Sequence, residues 1–393
     1  MPHTSPPSRP LRLGFIGGAL HSAVGYAHFV SCTMDKRFTV VTGCFSRDPA
    51  LNADSGAAYG VAPDRIHPDW PTLLQRERGL IDAVVVLTPT PAHTPILTAA
   101  LEAGIPVICE KALAGSAAEG RDIQASVDRH GGFLAVTYNY TGYPMVRELR
   151  QMIRQGKLGD VQQIHVEMPQ EGFLRTTNGA LPQPQAWRLH DGPVPTVSLD
   201  LGVHAHHLAE FLCGQHAREV VSDQRSLGNF PGIVDDVTCI ARYTGNVRVN
   251  YWYGKTALGY RNGLRVRVFG SAASAQWVQA DPEELSLHGA DGRRERIDRG
   301  SSQLLVAHQG RYNRFKAGHP AGFIEAIANL YADIADQLQR PSSERGSEYV
   351  FDAGAATRGL EFLEAVDRSA HSGSWQRISS LHAQGDEPHG SPC

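Results

Sequence analysis

A strand, a glycine turn and a helix follow one another between residues 11 and 30, and that order is accommodated by a parallel α/β sheet and little else. Leu11-Arg-Leu-Gly-Phe-Ile16 is a short apolar run that stops at Gly17-Gly18, and a helical stretch through Tyr26-Ala-His28-Phe-Val30 takes over. A strand apolar on both faces belongs inside a sheet covered on both sides, with helical crossovers between its strands. The rhythm repeats with strands at Phe38–Phe45, Ile81–Leu87, Val107–Cys109 and Phe133–Thr137, separated by helices at 72–78, 93–103 and 116–130. Five such units predict a doubly wound parallel sheet with ligands at the carboxyl ends of its strands.

From Tyr138 the pattern changes. A helix at 144–155 and an alternating strand at 161–168 precede a Pro-rich irregular stretch at 178–195 and an apolar helix at 198–213. Segments 237–243, 246–253, 264–270 and 275–279 read as successive hairpin-connected strands, and long helices return at 322–339 and 353–369. The expected fold class is therefore α/β: an N-terminal Rossmann doubly wound sheet at 11–137, then an α+β domain with an open, mostly antiparallel sheet at 138–378. Residues 1–10 and 379–393 are expected to be disordered tails.

Composition excludes several functions. Among 393 residues, 37 Lys and Arg stand against 40 Asp and Glu, a formal net charge of −3 that offers no field for nucleic acid or an anionic membrane. No apolar run reaches the roughly 18 residues that cross a bilayer, and the Pro- and Ser-rich start lacks a signal peptide's apolar core. Cys32, Cys44, Cys109, Cys213, Cys239 and Cys393 are scattered without a C-x-x-C pair. Isolated thiols in a long chain point to a reducing compartment, so the protein is expected in the cytoplasm.

The loop Gly17-Gly18-Ala19-Leu20-His21-Ser22-Ala23-Val24-Gly25 opens the first helix. Backbone N–H groups at a helix start can face a pyrophosphate, which makes this the expected dinucleotide loop, although Ala19 occupies the second glycine position and Gly25 falls late for the third. At the end of the second strand, where an acidic residue would hold a ribose 2′-hydroxyl, stand Ser46 and Arg47; a basic residue there favours a 2′-phosphate and NADP over NAD. The alternative is a solvated Arg47 beside a helix cap, with Asp48 facing the ribose. Thr88-Pro89 with His93, and Glu110-Lys111, close the third and fourth strands on the same rim. A lysine there can stabilise developing alkoxide charge. Surface ion pairing of Glu110 and Lys111, and a helix-start role for His93, are the plainer alternatives.

The segment Asp200-Leu-Gly-Val-His204-Ala-His206-His207 holds the densest chemistry. On a helix, Asp200, His204 and His207 share one face while His206 turns away, so carboxylate and imidazole can form an acid/base couple. A metal ranks below that reading, because the spacing offers two strong ligands rather than three; no metal site is expected.

Taken in order, these residues resemble the Gfo/Idh/MocA family of sugar and inositol dehydrogenases, across about Leu11 to Ser369. Glu110-Lys111 matches the family's E-K-P, with Ala112 in place of the proline. Asp200 and His204 match D-x-x-x-H, and Thr88-Pro89 with His93 matches a T-P-x-x-x-H turn over the nicotinamide ribose. Gly263–Gly270, Trp277, Asp281-Pro282 and His319-Pro-Ala-Gly-Phe323 resemble a sugar-dehydrogenase branch. The resemblance implies an NAD(P)-dependent oxidation of a ring secondary alcohol, or its reverse. His204 would take the hydroxyl proton, Lys111 would hold the reacting oxygen, and Asp200 would orient hydroxyls or tune the pair. Tyr138, Asn139, Arg175, Trp187, Arg188 and His207 are implied to line a sugar or polyol pocket, in a homodimer or homotetramer. Two alternatives use the same scaffold: a non-catalytic cofactor- and sugar-sensing protein, which would not need all of Lys111, Asp200 and His204, and an enzyme that uses transient oxidation with bound NAD to drive elimination or glycoside cleavage.

Overall fold

The computed structural model describes residues 9–378, so the expected tails at 1–8 and 379–393 lie outside it. Arg9 and Pro10, expected in the tail, belong to the folded chain: the Arg9 guanidinium pairs with Asp82 at 2.7 Å.

The first half runs β1 (Leu11–Gly17), α1 (Ala23–Met34), β2 (Phe38–Cys44), α2 (Pro49–Ala58), α3 (Trp70–Glu77), β3 (Ala83–Leu87), α4 (His93–Glu102), β4 (Val107–Glu110), α5 (Ala117–His130) and β5 (Leu134–Thr137). The five strands pair in parallel in the order β2-β1-β3-β4-β5. Every residue of β3 and β5 is buried, as a doubly covered sheet requires. Side chains cap the helices at Ser22, Asp48, Asp69 and Ser116, each accepting from a backbone N–H three residues on.

The second half runs α6 (Pro144–Arg154), β6 (Val161–Pro169), α7 (Val203–Cys213), β7 (Ala217–Arg225), β8 (Asp236–Tyr243), β9 (Arg248–Gly254), β10 (Arg265–Gly270), β11 (Ala273–Val278), β12 (Asp281–Gly289), β13 (Arg294–Asp298), α8 (Phe323–Leu338), α9 (Ala353–Ser372) and β14 (Gln376–Arg377). Its strands form one sheet, β13-β12-β11-β10-β6-β9-β8-β7-β14. This corrects the succession of hairpins expected from sequence: β6 inserts between β9 and β10, parallel to β9 and antiparallel to β10. β7, β12, β13 and β14 also fall outside the strands expected. Burial alternates along β8 and β9, so one face packs on helices and the other stays open. No helix among the described residues is long and apolar enough to cross a membrane.

The expected boundary near 137 does not separate the cores. Ile327, Tyr331 and Ile334 of α8 join Phe15, Val85 and Ile108 in one apolar cluster on a face of the parallel sheet. Leu360 and Leu363 of α9 share a second cluster with Val86, Cys109 and Ile123. The late helices thus brace the first sheet from both sides.

The helix expected at 198–213 is a π turn, Ser198–Gly202, followed by α7. The wide turn lies directly against β9: a Cβ on Gly202 would fall 2.9 Å from the Tyr253 ring, and Ser198 Oγ is 3.0 Å from the Tyr253 hydroxyl. Extra-wide turns of this kind recur where a helix must aim a side chain into a site.

Trp277 is the largest fully buried side chain; its ring packs on Tyr143 at 5.1 Å and its indole N–H donates to the Pro282 carbonyl. Trp277→Ala is expected to lower unfolding free energy by about 3–5 kcal/mol, read as a reduced urea midpoint at unchanged slope.

Candidate active site

In a parallel sheet of this order the crevice opens where consecutive crossovers diverge, at the carboxyl ends of β1 and β3. Gly17 and Gly18 turn there with φ of +82° and +76°. A side chain on Gly17 would put its Cβ 2.9 Å from the Leu87 carbonyl carbon, so the turn tolerates only glycine. Gly25, late for the glycine motif, still serves its packing purpose: a Cβ there would lie 2.2 Å from the Gly18 carbonyl oxygen. Ala19 packs against the apolar cluster around Phe15. Ser22 caps α1 through the Gly25 N–H, Ala23 is the first residue of α1, and Val24 lines the cleft.

Ser46 and Arg47 line a neighbouring hollow with Asn52, Pro63 and Ile66. Arg47 is exposed, and Asp48 uses a carboxylate oxygen to cap α2. Thr88 and Pro89 stand at the end of β3, with the buried Thr88 Oγ1 lacking a protein partner.

His93 is placed otherwise than expected. It is 1% exposed, and its ring nitrogens lie 3.0 Å from the Ala112 carbonyl and 2.8 Å from the Thr88 carbonyl. It thereby ties the turns after β3 and β4 together. Glu110 and Lys111 do not form the surface ion pair considered as the plainer alternative. Glu110 Oε1 receives Thr137 Oγ1 at 2.9 Å and lies 3.2 Å from His28 Nε2, while His28 Nδ1 meets the Tyr331 hydroxyl at 2.7 Å. Burial alone would raise the Glu110 carboxyl pKa, but His28 and Lys111 outweigh it and hold the group ionised. The peptide joining Lys111 to Ala112 is cis.

Lys111 reaches across the cleft to the π turn. Its ammonium donates to the Asp200 carbonyl at 2.9 Å and to Asp200 Oδ1 at 3.1 Å. Oδ2 of the same carboxylate meets Lys255 at 2.5 Å and Arg188 at 2.9 Å. Burial would push Asp200 up, yet the three cations hold its pKa well below the carboxylate range. The expected Asp200–His204 couple is absent: no hydrogen bond joins them, and His204 Nδ1 is buried without a partner. Burial, and then Lys111, push the His204 pKa well below its ordinary 6.5, with Asp200 opposing, so the imidazole is neutral at pH 7. Its ring sits edge-on to Tyr140 at 4.8 Å.

Glu110, Lys111, Asn139, Tyr140, Asp200 and His204 line one cleft. The buried Asn139 Nδ2 has no protein partner there. The other residues expected in the substrate pocket are dispersed. His207 is buried and stacked on Tyr138 at 3.9 Å and 8°, so both rings are core rather than lining. Arg175 pairs with Glu171 on the surface, Trp187 borders a separate hollow with His190 and Glu119, and Arg188 stands behind Asp200. His206 stacks on Phe362. Sequence reasoning missed His28, Tyr140, Gln170 and Lys255; the run of aromatics at 138–143 was the available signal for Tyr140, and none marked Lys255.

A glycine turn at the switch point of a doubly wound sheet, facing a lysine, an aspartate and a neutral histidine, defines an oxidoreductase of the nicotinamide-dinucleotide class. Residues 11–138 match the model of the oxidoreductase family with an NAD-binding Rossmann fold, and residues 146–276 match the Gfo/Idh/MocA C-terminal domain. The chain belongs to the Gfo/Idh/MocA family and is an oxidoreductase with an NAD-binding Rossmann fold. Among its relatives, the uncharacterized oxidoreductase YfiI of Bacillus subtilis is 31% identical over 381 residues, 93% of this chain and 96% of the relative. Myo-inositol dehydrogenase Hyg17 of Streptomyces leeuwenhoekii is 27% identical over 267 residues, 66% of this chain and 76% of the relative. The crystal structure of an inositol dehydrogenase homolog from Azotobacter vinelandii, complexed with NADH and myo-inositol, superposes with a TM-score of 0.86 at 29% identity, covering 94% of this chain and 98% of that one.

Proposed function

We propose that this protein oxidises a secondary ring alcohol of a sugar or cyclitol at the expense of NAD(P), or catalyses the reverse reduction. The observation that carries the reading is the convergence of Lys111, Asp200 and a neutral, partner-free His204 on one cleft beside the glycine turn. The binding residues fit a dinucleotide. Gly17 and Gly18 bring the backbone close to the crevice, and Thr88 Oγ1 and Asn139 Nδ2 are buried polar atoms left without protein partners. When bound, the nicotinamide accepts or returns the hydride. His204 takes the hydroxyl proton, Lys111 donates to the same oxygen and stabilises its developing charge, and Asp200 fixes Lys111 in place. Tyr140 and Met168 line the same cleft. The test is a panel of aldoses and cyclitols, with reduced cofactor and ketone expected in one-to-one ratio; turnover without net reduction would point instead to redox-assisted elimination.

Arg47 carries the cofactor preference. It makes no ion pair among the described residues, and with Asp48 committed to its helix cap the hollow presents a cation to a 2′-phosphate. NADP is expected to bind more tightly than NAD. A charge-assisted contact contributes about 1.5–3 kcal/mol, so Arg47→Ala should weaken NADP roughly 10- to 100-fold by fluorescence titration and leave NAD nearly unchanged. An NAD preference indifferent to Arg47→Ala would reverse the assignment.

The open face of the nine-stranded sheet is proposed to pair with a further copy, giving the homodimer or homotetramer. The free thiols at Cys32, Cys44, Cys109, Cys213 and Cys239 fit the proposed cytoplasmic setting.

A further inference from the structure

Asp200 receives more positive charge than a single carboxylate can balance. Lys111 comes from the end of β4, Lys255 from just beyond β9, and Arg188 from the irregular segment ahead of the π turn, and all three meet on its two oxygens. The two latecomers are themselves fixed. The Lys255 N–H donates to the Asp235 carbonyl, its own carbonyl accepts from Phe173, and its ammonium lies 5.2 Å from the centre of the Phe173 ring. The Arg188 carbonyl accepts the Thr196 hydroxyl, which Asp191 also holds. Neither residue lines the substrate cleft.

We infer that Lys255 and Arg188 are positioning residues that clamp Oδ2 of Asp200, turning Oδ1 to Lys111 and leaving no carboxylate oxygen for His204. The consequence is a division of labour. Held by three cations, Asp200 cannot accept the substrate proton, and Glu110 is engaged by His28 and Thr137; His204, with Nδ1 unattached, is left as the base. Neutralised by these cations, Asp200 draws a proton to the imidazole less strongly, which keeps His204 in its accepting form. The groups facing His204 are Lys111 from the β4 turn, Asp200 on the π turn, His207 on its own helix, and the rings of Tyr138 and Tyr140 after β5. Removing either clamping cation frees Asp200 to attract a proton to the imidazole, and so raises the His204 pKa. The clamp rests on the proposed role of His204 only for its kinetic consequence, so it is testable apart from it.

The experiment compares Lys255→Met, which keeps the length of the side chain without its charge, with Lys255→Arg and the less buried Arg188→Met, each in the full-length protein. His204 is followed by NMR titration of ring-labelled histidine, assigned with His204→Asn, alongside the pH profile of kcat/KM for alcohol oxidation. With Asp200 relieved of one cation, its attraction for a proton on the imidazole grows, so Lys255→Met should raise the imidazole titration and the acid limb by on the order of one unit. Arg188→Met should move both the same way, and Lys255→Arg should restore wild-type values. A side chain that only supports the fold would lower thermal stability without displacing either curve. If His204 titrates identically in folded Lys255→Met, folded Arg188→Met and wild type, the clamp is refuted. If the imidazole moves but the kinetic limb does not, the clamp holds and the assignment of His204 as base fails.

Discussion

His204→Ala is expected to lower kcat for alcohol oxidation by roughly 100- to 10,000-fold, the span that a positioned general base contributes. Cofactor affinity should be almost untouched, because the glycine turn and Arg47 lie on other elements. The wild-type pH profile carries the same assignment. An ordinary imidazole titrating near 6.5 would lose its accepting form on acidification through that value, whereas burial and Lys111 push the His204 pKa well below it. Oxidation should therefore hold its rate as the pH falls through 6.5 and decline only at lower pH. The reverse reduction needs the imidazolium as acid and so should gain with acidity. An oxidation limb at or above 6.5 would contradict a buried, cation-repelled base.

Lys111→Met should cost about 100- to 1,000-fold in kcat, comparable to removing one preorganised donor from a developing oxyanion. The side chain is close to isosteric, and Lys255 and Arg188 still neutralise Asp200, so the fold should survive with little change in melting temperature. The defect should fall on kcat more than on KM, because charge on the oxygen grows toward the transition state. Lys111→Arg should not restore activity: its planar fork cannot place one compact charge between Asp200 and a substrate oxygen. A Lys111→Met enzyme within a few-fold of wild type would assign the oxygen-holding role elsewhere.

Local signals in the sequence sufficed for the parts of this molecule that are local. An apolar strand ending at Gly17 reports its own burial and its own turn, so the parallel sheet and its ligand-bearing rim were legible. Lys111, Asp200 and His204, each singled out from short motifs, line one cleft in the structure. What escaped depends on contacts between distant segments. Nothing in Val161–Pro169 tells that it will slot between β9 and β10, because its partners lie some eighty and a hundred residues downstream. Helical spacing places His207 near the face of His204, but its role follows from the Tyr138 ring opposite, supplied after β5. His93 looked available on the rim because its partners are backbone carbonyls from the neighbouring turn, which carry no signature of residue type. The widened turn at Ser198–Gly202 and the approach of Lys255, 55 residues away, separate Asp200 from His204 in a manner that i, i+4 spacing does not report.

The most direct test of the proposed chemistry is a single turnover of wild-type protein, saturated with oxidised cofactor, on sugars and cyclitols deuterated at the carbinol carbons. The expected result is one deuterium on nicotinamide C4 for each ketone formed, at a rate that collapses in His204→Ala and Lys111→Met. Conversion of substrate with no label retained on the nicotinamide, or the same transfer rate in both variants, would contradict it.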